Sequence, residues 1–77
     1  MMGTEVADGK IALMVNGAER RIPAGSSLAD LLDSLALDAR AVVIEHNGTI
    51  LRNRDSFASF ELSADDVIEI VHFVGGG

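Results

Sequence analysis

Seventy-seven residues make one small domain. A chain of this length buries only about 60% of the surface it exposes when unfolded, and with no cysteine to cross-link it the 48% of apolar residues must supply the core. Six basic against twelve acidic residues give a net charge of −6, which argues against nucleic acid, whose phosphates demand a positive face; the acidity fits a basic docking partner, and solubility alone explains it equally well.

The first ten residues, MMGTEVADGK, are small, polar or glycine and show no periodicity. They read as a disordered leader over 1–10, without the basic and apolar regions of a secretory signal. No apolar run approaches the roughly 20 residues that span a bilayer. A soluble, cytoplasmic protein is expected, and the missing cysteines fit a reducing compartment.

KIALMVNGAERRI reads as a β-hairpin. Ile11, Leu13 and Val15 alternate on one face, and Asn16-Gly17 suits a type I′ turn, whose two central residues both need positive φ. Pro23-Ala24-Gly25 ends the second strand. SSLADLLDSLAL follows as the one strong helix. Ser26 or Ser27 can cap it, Asp30 stands in a capping-box position to Ser27, and Leu28, Leu31, Leu32 and Leu35 form a single apolar stripe. That stripe has only a sheet to pack on.

AVVIE is the next strand, with a second turn at His46-Asn47-Gly48-Thr49 and a short strand TIL. RNRDSFASFELSADD is irregular or briefly helical, with Phe57, Phe60 and Leu62 as core anchors. Asp65-Asp66 reads as a solvated acidic turn rather than a cation site. The final strand runs from Val67 to Val74. An unpaired glutamate is costly to bury, so Ile68 and Ile70 face inward. Val71 and Phe73 then share the open face with Glu69, an apolar pair fit for docking a partner. The order β-β-α-β-(β)-β implies an α+β fold, one amphipathic helix on one face of a mixed sheet.

No catalytic constellation is visible. There is no cysteine, the serines lack a nucleophile elbow, and neither His46 nor His72 stands in a metal-ligand or catalytic spacing. The end of the chain is different: a strongly apolar strand passes straight into Gly75, Gly76 and Gly77. Three extended glycines reach about 10 Å, can enter a narrow channel, and let another protein and a nucleotide approach the terminal acyl carbon. A carboxylate is inert until activated, most simply as an acyl-adenylate. A carrier whose reactive group is its own terminus is therefore expected, beside the plainer reading of an idle flexible end.

The segments VNG (15–17), LADLL (28–32), IEHNGTIL (44–51) and DDVIEIVHFVGGG (65–77) together resemble the ubiquitin-like β-grasp family, and more narrowly its sulfur carriers of thiamine biosynthesis, the ThiS type. The resemblance covers residues 10 to 77. It departs from that type at Leu51-Arg52-Asn53-Arg54, at Phe57, and at Ala64-Asp65-Asp66. It implies a β-grasp domain over 11–74 and a glycine tail over 75–77.

The resemblance further implies that a ThiF-like adenylyltransferase, using ATP and Mg²⁺, activates the Gly77 carboxyl. A desulfurase system then supplies the sulfur of a Gly77 thiocarboxylate, and thiazole synthase (ThiG) consumes it. Gly75 and Gly76 would thread the partner's channel while Val71, Phe73 and Val74 dock. The chain itself would bind no cofactor and catalyse nothing. The alternatives are a carrier for molybdopterin or cysteine synthesis, a ubiquitin-like modifier, and an interaction module with an idle tail.

Overall fold

The computed structural model describes residues 8–73. Five strands form one sheet: β1 (Lys10–Val15), β2 (Ala18–Pro23), β3 (Val42–His46), β4 (Thr49–Leu51) and β5 (Val67–His72). A single helix, α1 (Leu28–Ser34), follows β2, and 3-10 turns occupy Ala39–Ala41 and Arg54–Ser59.

Both hairpins form where the Asn-Gly pairs predicted them. Asn16 and Gly17 have φ of 52° and 83°, and Asn47 and Gly48 have 50° and 89°, the left-handed pairs that match the twist of the flanking strands. The strand order is β2-β1-β5-β3-β4. β5 runs parallel to β1 and antiparallel to β3. The last strand thus lies at the centre of the sheet and, among the described residues, is the strand joining the two hairpins.

The leader boundary differs by a few residues from the expected one. β1 takes in Lys10, Gly9 accepts a hydrogen bond from the Ala24 N–H at 2.8 Å, and Asp8 pairs with Arg21.

A seven-residue helix is too short to persist in water by itself; caps and packing hold α1. Ser27 Oγ accepts from the Asp30 N–H at 3.0 Å, and Asp30 Oδ2 accepts from the Ser27 N–H at 2.9 Å, completing the expected capping box. Leu28, Leu31 and Leu32 are buried against the sheet. Ala36, with φ of 59°, ends the helical run.

The core lies between α1 and one sheet face, where Leu13, Val42, Ile44 and Ile68 meet the leucines, and Phe57 and Leu62 close it from the long connection. Phe60 packs at its margin. The other face has no covering layer among the described residues.

Candidate functional site

The alternation proposed for the last strand is present. Ile68 is fully buried and Ile70 packs against the core, whereas Val67, Glu69 and Val71 are exposed. Val71 and Phe73 are 61% and 55% exposed, the two predicted docking residues that fall among the described ones. Val74 and the glycines 75–77 lie outside the described residues.

What holds β5 was only partly foreseeable. At its start, the Asn47 N–H donates to the Val67 carbonyl at 2.8 Å, and Asn47 Oδ1 accepts from the Val67 N–H at 2.7 Å. In its middle, Asn16 Oδ1 accepts from the Ile70 N–H at 2.7 Å and Asn16 Nδ2 donates to the Ile70 carbonyl at 3.2 Å. A side-chain amide has the same donor and acceptor as a peptide unit. Asn16 therefore continues the parallel pairing past the point where β1 turns away. At the end of β5, the Phe73 N–H donates to the Ala41 carbonyl at 2.9 Å.

Arg54 stiffens that last support. Its Nε donates to the Ala39 carbonyl at 2.8 Å and its Nη2 to the Val42 carbonyl at 3.0 Å. The Ala39–Ala41 turn is thus held on both sides of the carbonyl that receives Phe73.

Asp66 corrects the sequence reading. It is buried, not part of a solvated turn, and is 7% exposed. Its Oδ2 accepts from the Ser63 N–H at 2.8 Å and lies 3.0 Å from His46 Nε2, while Oδ1 accepts from Asn47 Nδ2 at 3.2 Å. Burial pushes the Asp66 carboxyl up, but the bonds from Ser63, His46 and Asn47 together outweigh it and hold the group below the usual carboxylate range.

An acceptor-only carboxylate requires His46 to carry its proton on Nε2. The ring also meets Phe60 edge to face, centroids 4.8 Å apart. The cluster closes the loop before β5, and among the described residues no serine or threonine hydroxyl is hydrogen-bonded to His46. Asp65 takes the strain of the turn, with φ of 71°. Among the described residues no group of three His, Cys, Asp or Glu could hold a metal ion, and no helix is long and apolar enough to cross a membrane.

The exposed side of the sheet carries Met14, Val67, Val71, Phe73 and Ile50. A shallow hollow of about 250 Å³ between Val43, Ile50 and Arg52 borders it. A larger hollow of about 460 Å³ lies beside the start of α1 and takes no residue from β5. The apolar face, not the larger hollow, therefore adjoins the end of β5.

Comparison with known proteins bears on the family and the fold. The sequence model of the ThiS family matches residues 11–77. The sulfur carrier protein ThiS of Bacillus subtilis is 45% identical over 51 residues, covering 66% of this chain and 76% of that one. The thiazole synthase of Paramagnetospirillum magneticum is 38% identical over 65 residues, 84% of this chain; the chain spans 20% of that protein's length. A crystal structure of the thiamine biosynthesis protein ThiS from Geobacter metallireducens superposes with a TM-score of 0.73 at 30% identity, over 87% of this chain and all of that one. The fold is accordingly the β-grasp.

Proposed function

The chain belongs to the ThiS family, and on that premise we propose that it is a sulfur carrier of thiamine biosynthesis whose Gly77 becomes a thiocarboxylate. The observation that carries this reading is the family match running through the terminal glycines to residue 77, beside the 45% identity to a sulfur carrier.

The chemistry belongs to the partners. A ThiF-like adenylyltransferase holds ATP and Mg²⁺; the Gly77 carboxylate attacks the α-phosphate and pyrophosphate leaves. The terminal sulfur of a persulfide, charged by a desulfurase, attacks the acyl carbon and expels AMP. A thiol then cleaves the resulting S–S bond, is itself oxidised to a disulfide, and leaves the thiocarboxylate. Thiazole synthase takes up that sulfur. Support for this last partner is the thiazole synthase polypeptide of which one fifth aligns with this chain.

The chain contributes position. β5 is fixed on both sides up to Ile70 and on the β3 side up to Phe73, and Val71 within it and Phe73 just after it stand exposed. With Val74 they form the docking spot from which Gly75, Gly76 and Gly77 enter the partner. Glycine leaves no side chain to obstruct a channel or crowd the acyl carbon.

Intact-mass measurement after incubation with ATP, the cognate adenylyltransferase and a sulfur source tests the reading. The expected gain is the exchange of one oxygen for sulfur, confined to the C-terminal fragment and lost when Gly77 is deleted. Localisation matters because oxidation of Met1, Met2 or Met14 adds nearly the same mass. No gain on the tail, with partners active on another carrier, overturns it in favour of an interaction module.

A further inference from the structure

The open face of the sheet holds an arrangement that the fold does not need. Glu45 on β3 and Glu69 on β5 are direct cross-strand partners, their Cβ atoms about 5 Å apart. Like charges in this relation destabilise a sheet. Among the described residues neither carboxylate joins an ion pair or accepts a hydrogen bond. The nearest cation on this face is Arg52, which follows β4 and lines the hollow with Val43 and Ile50, yet among the described residues it forms no ion pair with either glutamate. Arg21 lies at the far edge on β2 and is committed to Asp8, and Arg40 is committed to Asp38. Glu19, beside Met14, adds a third negative charge to the same face.

The surroundings of the pair are apolar. Val43 and Val71 form the next outward pair along the two strands, Ile50 flanks Glu45 from β4, and Val67 lies next along β5. A negative pair framed by hydrophobic side chains is complementary to a cation framed by hydrophobic side chains. Water excluded by the frame would strengthen that contact. A guanidinium suits it best, since its planar fork can address two carboxylates.

Two carboxylates on a flat open face lack the six or more oxygens that a calcium ion takes. A second copy of the chain would bring the same acidic face against itself.

We propose that this face docks an apolar patch of the cognate thiazole synthase, with an arginine or lysine of that patch seated between Glu45 and Glu69. The inference rests on the carrier reading above and adds to it the feature that selects the partner. The repulsion remains in the free domain because the bound partner relieves it. Val71 and Phe73 supply contact area, and the glutamate pair supplies discrimination against surfaces that are apolar but uncharged.

The test is a binding titration of the intact chain with purified cognate thiazole synthase at low and high ionic strength, on wild type, Glu45→Gln, Glu69→Gln and the double variant, with thermal melts of each. The variants are expected to melt at or above the wild-type temperature. The double variant is expected to bind about tenfold or more weakly at low salt, the scale of a close interfacial charge pair, and to lose most of the salt dependence.

Affinity within about twofold of wild type, with the salt dependence retained, overturns the inference and leaves the carrier reading standing. A wild-type chain that gains sulfur on its tail yet does not bind the synthase overturns the inference and the synthase partnership. Failure of the tail to gain sulfur removes the carrier reading by itself.

Discussion

Asn16 and Ile70 stand 54 residues apart in the chain and are joined by two hydrogen bonds, from the Ile70 N–H to Asn16 Oδ1 and from Asn16 Nδ2 to the Ile70 carbonyl. The residue that turns the first hairpin therefore also steadies the strand leading to the tail. Replacing it with glycine separates the two roles, since glycine accepts the φ of 52° but cannot reach β5. Asn16→Gly is expected to lose about 1–2 kcal/mol of stability, read as a lower denaturant midpoint, while the hairpin register is kept. A midpoint equal to wild type would reduce Asn16 to a turn residue.

The buried Asp66 carboxylate predicts an acid-sensitive fold. Its folded pKa is depressed, so its contribution is fully present above the unfolded value of about 3.9 and is lost as pH falls through the folded value. Asp66→Asn should be less stable than wild type at neutral pH by about 1–3 kcal/mol, because one acceptor oxygen replaces two. The gap should narrow below about pH 4. Urea denaturation of both proteins across the acid range measures it; a constant gap would mean that the carboxylate charge is irrelevant.

Phe73→Asp should separate binding from folding. The side chain is 55% exposed and only its backbone N–H serves the sheet, so stability should stay within about 0.5 kcal/mol. Binding to the adenylyltransferase or the synthase should weaken about tenfold or more if Phe73 is an anchor. Surface plasmon resonance on folded protein decides it, and undiminished affinity would move the docking site elsewhere.

Ile68→Ala is the opposite case. Ile68 is fully buried near the start of the central strand, and its truncation should cost about 2–5 kcal/mol. In a domain this small that is a large share of the total, and the variant should be partly unfolded at 37 °C by circular dichroism. A fully folded variant there would show that the core collapses around the gap.

Local features of the fold could be read from the chain. Asn-Gly pairs between alternating segments announce hairpins, and the leucine stripe with Ser27 and Asp30 announces α1. The face assignment of Ile68 and Val71 followed from the cost of burying Glu69. Pairings between distant segments left no local mark. Nothing in the sequence around Glu45 says that Glu69 lies opposite, because register is settled only when β5 inserts between β1 and β3.

Asp66 misled for a related reason. Two adjacent acidic residues before a strand suggest solvent, and only the approach of His46 and Asn47 makes burial of one tolerable. The double use of Asn16 and Asn47 was equally hidden, since their turn chemistry already accounted for them. Arg54 gave no signal either, as its carbonyl partners, Ala39 in the turn and Val42 at the start of β3, lie 15 and 12 residues away.

Because β5, among the described residues, bridges the β1–β2 and β3–β4 hairpins, the sheet cannot be completed until residues 67–72 are available. A ribosome-bound or proteolytically shortened chain that stops before Val67 has two hairpins, each marginal alone, and a helix with no completed surface to cover. Such a chain cannot display Glu69, Val71 or Phe73 beside Val43 and Glu45. Folding itself therefore screens for completeness: fragments lacking residues 67–72 do not assemble the face that carries Glu69 and Val71 beside Val43 and Glu45.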